Sequence, residues 1–178
     1  YIGGLFCFNS QELTNSNSRI EIIETGSTVS SGAHSRVGGL LAFNGGILKN
    51  SYSVGNIGEL SFGESFFGGL VGENYGTIRD SYSSVSLNNS NIEGNGGFVG
   101  FNNGGLIFNS YSFGEVENGG GFIGYSLGNN LLMENLYWNI ETSGQNSSQF
   151  NRNYDEINAL TIREMKIQLI RIERMLKK

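Results

Sequence analysis

Side chains suited to chemistry are scarce in this chain: one histidine, one cysteine and two aspartates among 178 residues. Zinc chemistry of the His-Glu-x-x-His kind needs two histidines on one helix face and a glutamate as base. His34 stands alone in a Ser/Gly/Ala stretch, cannot build that site, and is expected to be a solvated loop residue. Calcium-binding repeats need Asp at fixed offsets within Gly-rich turns, and Asp80 and Asp155 are far apart. Gly119-Gly120-Gly121-Phe122-Ile123-Gly124 matches the dinucleotide pattern G-x-G-x-x-G. That pattern needs a helix opening from it, and here it is one more copy of a repeated strand. Glycoside hydrolysis uses two carboxylates about 5 to 10 Å apart. Glu73 is the candidate that could approach neighbours, and it is expected to be an ordinary surface carboxylate. Cys7 has no partner for an internal disulfide and is expected to be a small buried filler. Asn88-Asn89-Ser90 and Asn146-Ser147-Ser148 match glycosylation sequons, as an Asn/Ser-rich chain does by chance. No catalytic, cofactor-binding or metal-ligating residue emerges, no cofactor is expected, and no ligand-binding residue can be singled out.

What the sequence does contain is a repeat. An apolar residue, Gly-Gly, two apolar residues, a small residue, a usually aromatic one and Asn recur from Gly3, Gly38, Gly68, Gly96 and Gly120. A period of this size, with 28 Gly and no Pro, marks a stacked array of coils and not one conventional core. The twelve Phe and eight Tyr recur in register with the glycines, whereas disordered segments are poor in aromatics.

Each copy has two halves. The first is the double-glycine strand, as in Phe67-Gly68-Gly69-Leu70-Val71-Gly72-Glu73-Asn74, followed by a Gly-rich turn. The second is Leu48-Lys49-Asn50-Ser51-Tyr52-Ser53-Val54-Gly55 and its equivalents. Strict period-two alternation puts Leu48, Asn50, Tyr52 and Val54 on one face, expected to be inward, with Lys49, Ser51 and Ser53 toward solvent. Stacking then aligns like with like. Leu48, Ile78, Ile107 and Met133 form one core column, Tyr52, Tyr82, Tyr111 and Tyr137 a second, and Asn50, Asp80, Asn109 and Asn135 an amide ladder. The connections over 55–66, 84–95 and 114–119 vary in length without disturbing the coil. The first copy is degraded, and Arg19 to Glu24 reads as an edge strand of undetermined register.

Charge divides the chain. Residues 1–159 hold 5 basic and 14 acidic side chains, a net of −9, and residues 160–178 hold 6 and 2, a net of +4. The acidic body argues against a nucleic-acid partner, which requires a basic footprint. No run of about 18 apolar residues exists, so no transmembrane helix is expected. The chain opens inside a repeat at Tyr1 and reads as a fragment. Leu160, Ile162, Met165, Leu169, Ile172 and Leu176 have near-helical spacing, and Thr161 with Glu164 is a capping-box pattern. A helix over about Thr161 to Leu176 is expected, either covering an open end of the stack or standing as a solvated or partner-binding amphipathic helix.

Gly68-Gly69-Leu70-Val71-Gly72-Glu73-Asn74-Tyr75-Gly76-Thr77-Ile78-Arg79-Asp80-Ser81-Tyr82-Ser83 resembles the GLUG motif. That repeat belongs to large bacterial surface and secreted proteins, among them filamentous-haemagglutinin-like adhesins and IgA-specific metallopeptidases. Tyr137 to Gln145 followed by Leu160 to Lys166 resembles the segment that often closes such an array, and the chain departs from the pattern after Lys166. The expected fold is all-β: a right-handed parallel β-solenoid of about four to five coils over 1–150, then a linker and a C-terminal amphipathic basic helix over 151–178. The resemblance implies a noncatalytic repeat segment of a bacterial cell-surface or secreted protein, acting as adhesin stalk or binding module. A host or surface glycan or protein, and neighbouring repeats of a longer parent, are the partners it implies. Two alternatives are an accessory region of a secreted metallopeptidase and a carbohydrate-active β-helix enzyme.

Overall fold

The computed structural model describes residues 1–23, 35–58, 65–88, 94–128, 132–149 and 154–168. His34, Glu24, the Asn89-Ser90 part of one sequon and the basic tail over 169–178 lie outside the described residues. The fold is an all-β parallel solenoid with a short C-terminal helical segment. Coil one runs through the strands Ile2–Gly3, Phe6–Asn9, Glu12–Thr14 and Asn17–Ile22. Coil two uses Ser35–Gly38, Leu41–Asn44, Ile47–Lys49 and Tyr52–Ile57. Coil three uses Ser65–Gly68, Val71–Asn74, Thr77–Arg79 and Tyr82–Leu87. In coil four the last two merge, giving Asn95–Gly96, Val99–Asn103 and Leu106–Ser112. Coil five has Gly119–Gly120, Ile123–Leu127 and Met133–Asn139. Every pairing between coils is parallel and in register, so Leu48 lies beside Ile78, Ile78 beside Ile107 and Ile107 beside Met133. The first copy is a full coil: Asn17 to Ile22 pairs residue for residue with Tyr52 to Ile57.

Like residues therefore fill the core. Leu40, Leu70, Phe98 and Phe122 form one fully buried column, and Phe98 stacks on Phe122 at 4.7 Å between ring centroids. Leu41, Val71, Val99 and Ile123 form another, beside the expected column of Leu48, Ile78, Ile107 and Met133. The double glycine is required by close approach at the corner. A Cβ on Gly68 would lie 1.8 Å from the Val71 carbonyl oxygen, and one on Gly69 would lie 2.2 Å from the Gly97 carbonyl of the next coil. Only a residue without a side chain lets the chain turn this tightly against its neighbour.

The second half of each repeat departs from strict alternation. Asn50, Asp80, Asn109 and Asn135 have φ of 50°, 53°, 48° and 55°. This left-handed corner, tolerated best by Asn and Asp after Gly, reverses the parity of everything downstream. Leu48 points inward as expected, but Ser51 and Ser53 are buried while Tyr52 is half-exposed. The Tyr column thus lies on the outer face and the Ser columns in the interior. The tyrosines still stack, Tyr52 on Tyr82 at 4.8 Å and Tyr82 on Tyr111 at 5.1 Å, with rings within 4° of parallel. The corner amides form the expected ladder, but on the outside: Asn135 donates to Asn109 at 2.9 Å and Asn109 to Asp80 at 3.0 Å. The Asp80 carboxylate has no N–H and so nothing to donate onward.

Buried serines need partners, and the coil supplies them. Ser51, Ser81 and Ser110 donate to the carbonyls of Lys49, Arg79 and Phe108 at 2.7–2.8 Å. Ser53 and Ser112 donate to Gly69 and Gly121 of the coil above, tying the third sheet to the double-glycine corner. A second, interior amide ladder closes each first half: Asn9 donates to Asn44, Asn44 to Asn74 and Asn74 to Asn102, at 2.8–2.9 Å. It ends with Asn102 donating to the Gly105 carbonyl.

The two ends differ. Cys7 is exposed and not buried. At the same repeat position a Cβ on Gly72 would face Ala42 and Val37 of the preceding coil, and no described coil lies beneath Cys7. Leu5 and Phe6, 41% and 51% exposed, hold positions that are fully buried one coil higher as Leu40 and Leu41. At the far end Leu136 and Trp138 take the places of buried serines. The strand Ile157–Leu160, inside the segment expected as linker, pairs with Leu136 to Asn139. Residues 162–168 are helical behind the expected capping box, in which Thr161 N–H and Oγ1 both donate to Glu164 and the Glu164 N–H donates back to Thr161 Oγ1. This segment lies on the flank of the stack beside Tyr82 and Tyr111, and Trp138, Tyr154 and Ile157 belong to or pack on the core at that end.

Candidate functional site

Chemistry-bearing side chains collect on the outer faces, those before each corner by alternation and the corner residues by their left-handed turn. Three columns run up the outside of the third sheet. One is Ile47, Thr77 and Leu106; the next is Lys49, Arg79, Phe108 and Glu134; the third is the corner ladder of Asn50, Asp80, Asn109 and Asn135. Between them lies an open groove of about 400 Å³, lined by Ile47, Thr77, Arg79, Asp80, Phe108, Asn109 and Glu134. Of these Phe108 is half-buried, while Arg79, Asp80, Asn109 and Glu134 are exposed.

A second groove, of about 370 Å³, lies where the helical segment meets the tyrosine column. Tyr82, Tyr111 and Phe113 form one wall; Ile162, Met165 and Lys166 form the other. Burial and the neighbouring Tyr82 push the Tyr111 phenol up to about 12. Tyr111 therefore keeps its proton near neutral pH and serves this wall as an apolar, hydrogen-bonding surface.

The outer column of the second sheet is Phe8, Phe43, Glu73, Phe101 and Tyr125. Tyr1, Phe8, Phe43 and Tyr75 pack ring against ring at 4.6–5.6 Å between centroids. Glu73 interrupts the aromatic run and is buried, contrary to its expected place as a surface carboxylate. It accepts from Arg36 Nε at 2.7 Å, and the Arg36 guanidinium sits 4.7 Å above the Phe66 ring. The aromatic neighbours exclude water from the carboxylate, and the arginine supplies the countercharge a buried acid requires. Glu73 is thus a structural ion-pair partner and is withdrawn from any pair of hydrolytic carboxylates.

Of the other residues weighed in the sequence, Gly119 to Gly124 spans the first and second strands of coil five with no helix opening from it. Asp80 stands in the outer corner ladder, and Asp155 lies in a turn at the C-terminal end. Among the described residues no group of three or more His, Cys, Asp or Glu is placed to hold a metal ion, and no helix is long and apolar enough to cross a membrane. Strict alternation already puts Phe108 outside with Lys49 and Arg79, but it hid the outward turn of Asp80 and Asn109 beside it. The one signal for it was an Asn or Asp at the same place in every second half, a residue pair favoured at left-handed corners. No protein-family model, curated protein or solved structure matches this chain, so its surfaces are read from their own geometry.

Proposed function

We propose that this chain is a noncatalytic repeat segment of a bacterial cell-surface or secreted protein, working as an adhesin stalk or binding module. The observation that carries the reading is the outer surface of the stack. Exposed aromatic, charged and amide side chains repeat there at one-coil intervals beside open grooves, and repeat arrays use such extended faces for binding. The resemblance of residues 68–83 to the GLUG motif adds the bacterial surface or secreted setting. The test is the reading frame around this segment together with attachment of the purified chain to cells and matrix proteins. An export signal with further double-glycine repeats supports the surface setting, and a frame without export signal refutes it. A His-Glu-x-x-His domain in the same frame would make the segment an accessory part of a secreted peptidase.

One observation favours a second reading, a carbohydrate-active enzyme on a β-solenoid. Asp80 and Glu134 line one groove with Phe108 between coils, and paired carboxylates beside an aromatic surface are what glycoside cleavage uses. Release of reducing ends from polysaccharides, abolished in both Asp80→Asn and Glu134→Gln, would establish it. No release by the unaltered chain would dismiss it.

A further inference from the structure

We propose that the outer groove around Phe108 is a binding site for a neutral glycan, an inference that rests on reading the chain as a binding module. Phe108, half-buried, is the one aromatic side chain among the residues lining the groove. A pyranose presents an apolar face of C–H groups and a rim of hydroxyls, so it needs a flat apolar surface with polar groups around the edge. Phe108 supplies the first. Arg79 and Glu134 supply the second, because register places them in the same column one coil below and one coil above Phe108. Adjacent parallel strands are about 4.8 Å apart, so the two charged groups bracket a single sugar ring resting on Phe108. A guanidinium offers five N–H donors and a carboxylate accepts from two neighbouring hydroxyls. Each end of the ring therefore meets a group of opposite hydrogen-bonding character.

The side wall adds a fixed acceptor. Asn109 Nδ2 donates to Asp80 Oδ1 at 3.0 Å, which holds the Asp80 carboxylate in place and leaves its second oxygen for a ligand. Asn109 is itself held by Asn135 from the coil above. The groups are thus positioned before any ligand arrives, which reduces the ordering cost of binding. None of Arg79, Asp80 and Glu134 is in an ion pair among the described residues, so all three remain available. Their sum is −1, and including Lys49, one coil below Arg79, brings it only to zero. A sulfated or uronic-acid chain would gain no net attraction here, and a neutral chain loses nothing.

The experiment is a printed array of neutral, sialylated and sulfated oligosaccharides probed with the whole chain, followed by titration of the strongest neutral binder. Binding to neutral glycans, weakened about tenfold or more by Phe108→Ala, is the expected result. Arg79→Gln and Glu134→Gln, both at exposed positions, should each weaken it several-fold while leaving the circular dichroism unchanged. They keep the test decisive should Phe108→Ala disturb the coil. Preference for sulfated glycans, or neutral binding that none of the three variants alters, would overturn the site. If no glycan binds while the chain still attaches to cells or matrix proteins, the glycan site falls and the binding-module reading stands.

Discussion

Removing Asn74 isolates what the interior amide ladder contributes. Asn74 is fully buried. Its amide accepts from Asn44 and donates to Asn102, both at 2.9 Å, with a longer contact to the Gly76 carbonyl at 3.3 Å. In Asn74→Ala the Asn102 oxygen loses its donor. The Asn44 amide keeps only its contacts to Gly46 and Thr77 at 3.4 and 3.5 Å. A buried polar group left without a partner costs roughly 1–3 kcal/mol. Two such groups, one partly compensated, give a loss of roughly 2–5 kcal/mol. For a chain of this length, about 2–4 °C accompanies each kcal/mol, so the thermal midpoint should fall by roughly 4–20 °C. Asn109 makes the same head-to-tail bonds in the outer ladder, where water replaces them. Asn109→Gly preserves the left-handed corner and should cost no more than about 1 kcal/mol. Differential scanning calorimetry on both variants, with urea unfolding as a second measure, provides the comparison. Equal losses in the two variants would show that burial does not set the ladder's worth, and the reasoning would fail.

Gly68→Ala would force a Cβ to 1.8 Å from a backbone carbonyl and should destabilise by roughly 3 kcal/mol or prevent folding. By contrast Gly104, at φ 75° with nothing within 4 Å, should accept Asn with little change; unfolding curves of both variants check this. Glu73→Leu leaves Arg36 facing an apolar pocket and should cost roughly 2–4 kcal/mol, most of which Arg36→Leu in the same chain should restore. Near-equal stability of Glu73→Leu and the unaltered chain would contradict the pairing. Tyr111 keeps its proton in the folded chain up to about 12, against 10.0 ordinarily. Between those values the unfolded chain binds fewer protons, so stability should fall as pH rises through that window. Tyr111→Phe should flatten the decline, as followed by phenolate absorbance and alkaline unfolding.

The spacing of the double glycines, and the column Leu48, Ile78, Ile107 and Met133, were legible because a stacked coil repeats its constraints at every turn. The place of the tyrosines was not. A single residue at φ near 50° moves Tyr52 from the core to the surface, and no hydropathy alternation reveals a corner inside an otherwise regular run. Once that residue is placed, the buried serines and the outward tyrosines follow. The burial of Glu73 was no more legible. Its partner is 37 residues away, and in this chain that distance is one coil. The repeat position of Cys7 is buried only where a preceding coil covers it.

A stack built from like residues has a hazard of its own. A coil displaced by one whole repeat would still set leucine on leucine and asparagine on asparagine, so slippage during folding would meet little resistance from the repeated contacts. The contacts that do not repeat can act as addresses. Arg36 in coil two pairs with Glu73 in coil three and lies within 5.9 Å of the Phe101 ring in coil four. That one side chain therefore specifies the order of three consecutive coils. Asp80 beneath Asn109 and Trp138 against Gly121 label the turns that follow. The irregularities of this chain are thus what make its assembly order unique.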